Sequence, residues 1–345
     1  MPQTTILMVG NYLSSPKHNR NVWHSLAERL PEVGWKVLTT SSQENQLLRL
    51  LDMLTTIFRK RHQYSLAQID VFSGKAFAFA KFGASLLKWI NKPVILTLHG
   101  GGLPEFAQKH AGSVRRLLGS AAIVVTPSPF LQQGLSQFRP DIRYIPNPVQ
   151  LSQMPYRQRH QAQPKLIWVR AFHKIYNPTM AVRVLKRCQK DYPDVTLSMI
   201  GPDKGDGSFQ AVKRLSEELQ LTGKLSIIPG VDHDQVPSLL NQADIFINTT
   251  NYDTAPRSLI EAMACGLCVV STNVGGVPWL VDDGENGLLV PPKDPNSMAE
   301  AVQRVLKDPG LASMLSKGSR QKAEQHYWQT ILPQWDALFR EVLGR

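Results

Sequence analysis

Two carboxylates in the last third of the chain have a spacing that could serve a ligand. Asp253 and Glu261 lie eight residues apart in the stretch NYDTAPRSLIEAMACG. Pro256 can occupy the first turn of a helix, where its missing N–H group has no intrahelical partner to lose. Apolar residues then recur at helical spacing, and Gly266 is suited to the residue that ends a helix. The pattern therefore predicts a loop that carries Asp253 and a short helix that carries Glu261.

The start of that helix is a candidate anion site. The backbone N–H groups near Arg257, Ser258 and Leu259 would have no intrahelical partners, and a helix start of this kind can bind phosphate. Taken alone, the stretch is more often an ordinary amphipathic helix that carries an exposed glutamate. The remaining candidate groups have to distinguish these two interpretations.

Basic and imidazole side chains follow other strand-like segments. LIWVRAFHKIYNP ends in a basic loop with Arg170 and Lys174. Cations held in place there could bind an anionic group, and a solvated basic loop is the alternative. LTLHGGG puts His99 at the end of a strand, where its side chain could belong to a ligand site. The alternative is a histidine that is structural or merely exposed. A hydrolase interpretation of HGGG fails because the chain has no G-x-S-x-G nucleophile elbow.

The elements that must position these residues alternate between strands and helices. Six strand-like segments run from TTILMV to IRYIPNPV, and six more run from KLIWVRAF to NGLLVPP. This alternation predicts an α/β fold in which each half has a parallel sheet with helices on both faces. Functional groups gather at the carboxyl ends of such strands. Gly10, Asn11 and His99 fall at ends of this kind.

The bulk composition sets the number of domains and the class of partner. A chain of 345 residues with 42% hydrophobic residues is long enough for two domains, each with its own core. We place an N-terminal domain at 1–150, a polar linker at 151–164, a C-terminal domain at 165–325 and a terminal helix at 326–345. The net charge of +12 favours anionic partners such as nucleotides, nucleic acid or an anionic membrane surface.

The three cysteines argue against a disulfide framework and fit a reducing compartment. Two of them form a CGLC motif, but no second pair accompanies it, so we interpret them as buried packing residues. VDHDQVP could pass for a metal cluster, but we interpret it as a loop and a helix start beside a base pocket. The N-terminus lacks the pattern of a signal peptide, and no apolar window is long enough to span a bilayer.

One amphipathic stretch, QLLRLLDMLTTIFRKRHQYS, has a basic end. Such helices can lie on anionic membrane surfaces. The alternative is a surface helix whose apolar face packs on the sheet, which is the usual fate of an apolar stripe. The sequence alone leaves both interpretations open.

The order of motifs in the second half resembles the retaining glycosyltransferases of the GT-B fold, family 4. The resemblance is strong from residue 165 to residue 306. It rests on a two-acid motif, Glu-x7-Glu in the family, whose positions hold Asp253 and Glu261 here, on the EAMACG run that Glu261 opens, and on the later VVS…GG…E…G run. It continues more weakly through the first half. The resemblance implies two Rossmann-like domains that face each other across a cleft. It also implies transfer of a hexosyl group from a nucleoside-diphosphate sugar to a glycan, lipid-linked or small-molecule acceptor, as in polysaccharide biosynthesis.

The resemblance also implies roles for individual residues. In the family, the second acid binds the ribose hydroxyls and the helix start binds the diphosphate. The resemblance therefore implies that Glu261 binds the ribose and that Pro256, Ser258 and Leu259 lie at the diphosphate. These four are the implied donor-binding residues of the second half. The first acid of the motif approaches the donor sugar, and here it is Asp253, where the family usually has glutamate.

Further roles fall on the basic loop and on the first domain. In the family an arginine and a lysine hold the diphosphate, which here corresponds to Arg170 and Lys174. A histidine faces the donor sugar, which corresponds to His99. The loop after the first strand meets donor phosphate and acceptor, and only Gly10 and Asn11 are placed for that. The resemblance therefore implies His99, Arg170, Lys174 and Asp253 as catalytic residues.

No metal or other cofactor is expected, because cations and a helix start supply the charge. The expected partners are a nucleoside-diphosphate sugar and a carbohydrate or lipid-linked acceptor, and no nucleic acid. The expected location is the cytoplasm, and peripheral contact with the inner face of the membrane is left open. The alternatives are a non-catalytic sugar-nucleotide binding module and a sugar-nucleotide epimerase or phosphorylase on the same fold.

Overall fold

The computed structural model describes residues 4–10, 12 and 22–344, and these divide into two compact units. Unit 1 comprises the described residues up to Pro148 together with those from Trp328 onward, and unit 2 spans Val149–Tyr327. Each unit contains one six-stranded sheet in which all paired strands are parallel. The predicted α/β class and all twelve predicted strands are confirmed.

Unit 1 follows the predicted alternation of strands and helices. Its elements are β1 (Thr5–Val9), α1 (Val22–Arg29), β2 (Lys36–Thr40), α2 (Gln46–Arg59), β3 (Leu66–Val71), α3 (Phe77–Trp89), β4 (Val94–Leu98), α4 (Leu103–Lys109), α5 (Ala111–Gly119), β5 (Ile123–Thr126), α6 (Pro129–Leu135) and β6 (Arg143–Tyr144). The strand order in its sheet is β2-β1-β3-β4-β5-β6.

Both faces of the unit 1 sheet are covered. Leu7 and Val9 of β1 share one core with Met53 and Ile57 of α2, and that core also takes residues from α3, α5 and α6. The C-terminal helix of the chain, Trp328–Val342, also belongs to this unit. Its Trp335 side chain is buried, and the ring lies edge-on to Trp23 with the centroids 5.8 Å apart. The predicted C-terminal helix is therefore part of the first unit.

Unit 2 repeats the same architecture. Its elements are β7 (Lys165–Val169), α7 (Pro178–Cys188), β8 (Thr196–Ile200), α8 (Ser208–Glu218), β9 (Leu225–Ile228), α9 (Val236–Asn241), β10 (Ile245–Asn248), α10 (Arg257–Ala264), β11 (Cys268–Thr272), β12 (Leu288–Val290), α11 (Pro295–Lys307) and α12 (Pro309–Glu324). The C-terminal helix Trp328–Val342, which belongs to unit 1, is α13. The strand order is β12-β11-β10-β7-β8-β9, so β10 lies next to β7.

The polar segment predicted as a linker packs onto unit 2 instead of bridging freely. Arg159 within it is 1% exposed, and its guanidinium donates to the carbonyl oxygens of Cys265 and, at 2.9 Å, Ala243. Its backbone N–H donates to Ser316 Oγ at 2.9 Å. Hydrogen bonds from the buried Arg159 hold this segment on unit 2. Such bonds produce no periodic pattern of apolar residues, so the sequence pattern does not reveal that the segment is packed.

The cysteines behave as packing residues, as predicted. Cys188, Cys265 and Cys268 are free and buried, and burial raises the pKa of each thiol to about 12. Within the described ranges, no group of three or more histidine, cysteine, aspartate or glutamate side chains is placed to hold a metal ion. No helix in the same ranges combines the length and the apolar character needed to cross a bilayer.

Candidate functional site

The stretch with the two acids folds as a loop followed by a helix. Asp253 lies in the loop after β10, and Glu261 lies inside α10. Pro256 is the residue directly before the helix, in extended conformation, and its own side chain makes no capping hydrogen bond. Gly266 follows the helix with φ +74°, a backbone conformation that glycine adopts without strain. The local prediction for both carboxylates is confirmed.

The Glu261 carboxylate is buried and already has two cationic or imidazole neighbours. Its residue is 3% exposed. Oε1 lies 2.9 Å from Nε2 of His233 and 2.8 Å from Nε of Arg257. Burial alone would raise the pKa of Glu261, but the hydrogen bond with His233 and the charge of Arg257 outweigh burial and lower it. The Glu261 carboxylate is therefore ionised and fixed in position, and it can accept hydrogen bonds. It is not the exposed glutamate of an ordinary amphipathic helix.

His233 is a neighbour of this site that the sequence interpretation missed. It starts a short 3-10 turn, His233–Gln235, just before α9. The sequence placed VDHDQVP beside a base pocket but gave no reason to join its histidine to Glu261, which lies 28 residues away. The contact connects the loop after β9 to the middle of α10.

Arg170 and Asp253 meet because β7 and β10 are neighbours in the sheet. Arg170 directly follows β7, and its guanidinium pairs with the Asp253 carboxylate. The guanidinium also lies over the ring of Tyr176, 4.7 Å from the centroid. Burial lowers the pKa of Arg170, although an arginine side chain remains charged in proteins. The other oxygen of the Asp253 carboxylate accepts from the Thr254 N–H at 2.7 Å, so this side chain does not cap α10.

Two glycines let the chain approach the Asp253 loop closely. A Cβ atom at Gly275 would overlap the carbonyl oxygen of Asp253, and one at Gly276 would overlap that of Thr254. The Gly276 N–H donates to the Asp253 carbonyl oxygen at 2.8 Å. The glycine pair in the VVS…GG…E…G run therefore holds the backbone of the loop that presents the Asp253 carboxylate to Arg170.

Lys174 lies in a second loop that is tied to its surroundings through the backbone. Its N–H donates to Asp206 Oδ2 at 2.7 Å, and its carbonyl oxygen accepts from Asn251 Nδ2 at 3.2 Å. That Lys174 N–H is the main cause of the low pKa of Asp206, about 2. The Lys174 side chain is exposed and has no ion pair with any described residue. Its loop is held while its ammonium group faces solvent.

The start of α10 is only partly as predicted. The Leu259 N–H donates to the Pro256 carbonyl oxygen at 3.1 Å, so that amide already has a partner, and the Leu259 side chain is buried. The Ser258 Oγ atom is buried and has no hydrogen-bond partner among the described residues. Of the three residues predicted at the helix start, Ser258 is the one with unused hydrogen-bonding capacity in its side chain.

Gly10 and His99 lie together at the carboxyl edge of the unit 1 sheet, and Asp70 of β3 lies between them. His99 Nε2 is 3.5 Å from Asp70 Oδ1, and a Cβ atom at Gly10 would lie 2.8 Å from Asp70 Oδ2. Gln68 Nε2 donates to Asp70 Oδ1 at 2.8 Å. Asp70 was not singled out from the sequence, although it lies in the predicted strand QIDVFSG. Asn11, the other predicted residue of this group, lies outside the described residues.

Several polar atoms around Asp70 are buried without hydrogen-bond partners in the described part of the chain: Tyr12 Oη, Gln68 Oε1 and His99 Nε2. Burial, and after it the charge of Asp70, raises the pKa of Tyr12 well above its usual value. Buried polar groups are normally bonded, so these three atoms give the cluster hydrogen-bonding capacity that the described residues leave unused.

A cavity of about 380 Å³ opens beside this cluster. Arg49, Asp70, His99 and Asn147 supply polar groups to its wall, and the remainder is largely apolar and aromatic, with Phe79 among its residues. His99 also stacks against Phe72, with the ring centroids 5.2 Å apart. An apolar wall with a few convergent polar groups is typical of a small-molecule site.

Solved structures with the same architecture define the class of fold. Sucrose-phosphate synthase from Thermosynechococcus elongatus matches with a TM-score of 0.81 at 20% identity and 99% coverage of both chains. The Anabaena protein HepE, in complex with UDP and glucose, matches with a TM-score of 0.79 at 18% identity, over 98% of this chain and 100% of that one. The chain has a two-domain, Rossmann-like GT-B fold.

Two family models match adjoining parts of the sequence. The model described as "Glycosyl transferases group 1" matches residues 153–322, and the model described as "Glycosyltransferase Family 4" matches residues 15–153. The chain belongs to the family 4, group 1 glycosyltransferases. The resemblance found in the sequence is thereby confirmed.

Curated relatives are distant and longer. Glycogen synthase of Mycobacterium tuberculosis is 23% identical over 277 residues, which cover 76% of this chain and 66% of that protein. D-inositol 3-phosphate glycosyltransferase of Acidothermus cellulolyticus is 25% identical over 281 residues, which cover 73% of this chain and 62% of that protein. The chain thus spans about two thirds, or less, of the length of these relatives.

Proposed function

We propose that the protein transfers a hexosyl group from a nucleoside-diphosphate sugar to a carbohydrate or lipid-linked acceptor, with retention at the anomeric carbon. The observation that carries the proposal is the buried, ionised Glu261 in α10, in the same unit as the Arg170–Asp253 pair. Glycogen synthase and HepE, named above, support a nucleotide sugar as donor, and the bound UDP of HepE makes uridine the first base to test.

The donor would bind to unit 2. A carboxylate accepts several hydrogen bonds, so Glu261 can receive the two ribose hydroxyls in addition to its existing contacts on Oε1. The buried Ser258 hydroxyl at the start of α10 would donate to the diphosphate. Arg170 and the solvent-facing Lys174 would supply positive charge to the same group.

The reaction would depend on charged side chains that are in position before the donor binds. The bond between the anomeric carbon and the diphosphate oxygen breaks, the bond to the acceptor oxygen forms on the same face, and the acceptor proton passes to the leaving diphosphate. Negative charge grows on the diphosphate during this step, and Arg170 and Lys174 would stabilise it without reorganisation. Asp253 would orient Arg170 and favour the positive charge that develops on the sugar.

The acceptor would bind in the unit 1 cavity. An acceptor hydroxyl could donate to Asp70 and accept from His99 or Tyr12, which would complete the unpartnered polar atoms of that cluster. The aromatic wall suits the apolar faces of a sugar ring. An acceptor carried on a lipid would place the protein at the cytoplasmic face of a membrane as a peripheral protein.

The test is a donor screen followed by product analysis. Binding of uridine, guanosine and adenosine diphosphate sugars is measured by calorimetry, and the donor that binds is offered with an acceptor panel of mono- and oligosaccharides and lipid-linked sugars. NMR coupling constants of the product report the anomeric configuration. A retained configuration supports the proposal and an inverted one contradicts the mechanism.

The rival functions give different results in the same experiment. Donor binding without release of nucleoside diphosphate under any condition would make the protein a binding module. Conversion of the free donor into its epimer, without transfer, would make it a sugar-nucleotide epimerase. Either result would overturn the proposed transfer reaction.

A further inference from the structure

Helices α2 and α3 leave a cluster of large apolar side chains in solvent. Twelve large hydrophobic residues are exposed in the described part of the chain, and six of them belong to these two helices. We define them as the α2–α3 face: Leu47, Leu48, Leu51, Phe58, Phe82 and Trp89. Leu47 is 74% exposed and Trp89 is 72% exposed. Contiguous apolar exposure of this kind marks an interaction surface.

The helix geometry joins these side chains into one surface. Leu51 and Phe58 are seven residues apart on α2, and Phe82 and Trp89 are seven apart on α3, so each pair lies on one side of its helix. The two helices pack against each other, and the rings of Phe58 and Trp89 stack with centroids 6.0 Å apart. The apolar rows of the two helices therefore meet.

The core does not account for this surface. Met53 and Ile57 of α2 are buried and pack on the sheet, as expected for the apolar side of a surface helix. The exposed leucines lie on a different side of the same helix. The helix is thus apolar toward the protein core and apolar toward solvent.

Positive charge surrounds the α2–α3 face. Residues 45–92 contain eight lysine and arginine residues and only two aspartates. The Arg61 guanidinium lies over the Phe58 ring, 4.3 Å from its centroid, and the Lys81 ammonium lies 6.0 Å from the centroid of Phe82. Lys88 is exposed next to Trp89. Cations with long stems can keep their charge at a polar surface while their stems lie along apolar groups.

We propose that the α2–α3 face docks on an anionic membrane surface. Leucine, phenylalanine and tryptophan side chains can enter the interface between headgroups and acyl chains, while the cations attract anionic headgroups. A symmetric contact with a second copy would set the same cations against each other. Nucleic acid would satisfy the cations but would leave the leucines without apolar partners. A lipid surface is the partner that matches both properties.

The docking surface deepens the proposed function, because it assigns the residues through which a lipid-linked acceptor could be reached. It is tested on the full chain by sedimentation with vesicles of phosphatidylcholine alone and of phosphatidylcholine with phosphatidylglycerol. We expect binding to the anionic vesicles at low salt, weakened at high salt. Equal binding to both vesicle types, or no binding, overturns the proposal.

Two sets of variants test the residues. Lys81→Gln with Lys88→Gln should lower the partition coefficient about twenty-five-fold, since each cation near an anionic surface contributes roughly five-fold. Leu47→Ser with Leu51→Ser and Trp89→Ser should lower it at least about ten-fold, because three inserted apolar groups are lost. All five positions are exposed, so the fold should tolerate the changes.

Matched controls lie on unit 2, at the exposed Met314 and Lys317. Met314→Ser and Lys317→Gln should bind vesicles like the unchanged protein. Equal loss in these controls, or no loss in the α2–α3 variants, overturns the assignment of the surface. Sedimentation velocity without vesicles is run in parallel, and a dimer that the α2–α3 variants abolish would make a second copy the occupant and overturn the lipid proposal.

Donor turnover in the same samples separates the two proposals. Vesicle binding without turnover would contradict the transfer reaction and leave the docking surface standing. Turnover without vesicle binding would contradict the docking surface and leave the transfer reaction standing.

Discussion

The two clusters of candidate residues differ in how their polar groups are satisfied. In unit 2, Arg170 pairs with Asp253, and Glu261 contacts His233 and Arg257. In unit 1, the Asp70 cluster keeps Tyr12 Oη, Gln68 Oε1 and His99 Nε2 buried without partners in the described residues. The unit 2 cluster has its charged groups paired before any ligand arrives, and the atoms that the described residues leave unused there are donors, on the Arg170 guanidinium and the Ser258 hydroxyl. The unused atoms of the unit 1 cluster surround the Asp70 carboxylate and include both donors and acceptors.

This difference matches the chemistry of two kinds of ligand. A nucleoside diphosphate is charged in every state, so a cation that receives it is best held in advance by an internal counter-charge. A hydroxyl of a sugar is neutral and can both donate and accept, so it can complete buried groups that lack partners. The comparison therefore supports the proposal that the donor binds to unit 2 and the acceptor to unit 1, and the following predictions test that proposal.

The largest expected effect is on donor binding. Glu261→Ala removes a carboxylate that would take two ribose hydroxyl bonds, and hydrogen bonds to charged groups are the stronger kind. Donor affinity should fall by about 2–4 kcal/mol. Calorimetry measures the affinity and circular dichroism checks the fold. Glu217→Ala, an exposed change on α8, is the matched control, and an unchanged affinity in a folded Glu261→Ala protein contradicts the assignment.

Asp253→Asn should affect the chemical step rather than donor binding. The change removes the counter-charge of Arg170, so affinity for free nucleoside diphosphate should be kept or should rise. The turnover number should fall at least about a hundredfold, or about 2.7 kcal/mol of barrier, because the lost contact matters most in the transition state. Stopped assays give the turnover number, and calorimetry gives the affinity.

The control for Asp253 is Asp194→Asn, at a side chain that is 98% exposed. Near-normal turnover with a lowered melting temperature in the Asp253→Asn protein would mean that the side chain serves stability only. Asp253→Glu provides a further comparison, since the longer acid is usual in the family, and improved turnover would show that the shorter side chain limits the rate.

Asp70→Asn should affect the acceptor and leave the donor untouched. Asparagine can still accept from Gln68, so the local hydrogen bond is kept while the charge is lost. The KM for the acceptor should rise about tenfold, equivalent to about 1.4 kcal/mol. Nucleotide affinity and the KM for the donor should stay the same. The comparison fails if Asp70→Asn changes donor affinity as much as acceptor KM, with Asp52→Asn in the same unit as the control.

The smallest expected effect is that of chelation. In the proposed reaction, Arg170, Lys174 and the start of α10 would supply the positive charge that a divalent cation supplies elsewhere. Transfer activity should therefore survive EDTA with little change. Abolished transfer that manganese or magnesium restores would show that the held cations of unit 2 are insufficient by themselves.

Local sequence patterns determined the elements and the class of the protein. Apolar runs and their spacing gave the twelve strands, the loop position of Asp253 and the helical position of Glu261, because periodicity reports which side of an element is buried. The order of the motifs also identified the family. These properties depend on residues close to one another along the chain.

The tertiary structure decided which side chains meet. Arg170 reaches Asp253, 83 residues later, because β7 and β10 are neighbours in the sheet, and the strand pattern does not specify that order. The contact of His233 with Glu261 and the association of α13 with unit 1 depend on the path of the chain in the same way. An apolar period shows that a side of a helix is suited to burial, but only packing decides whether something covers it, and on α2 the second apolar side is left in solvent.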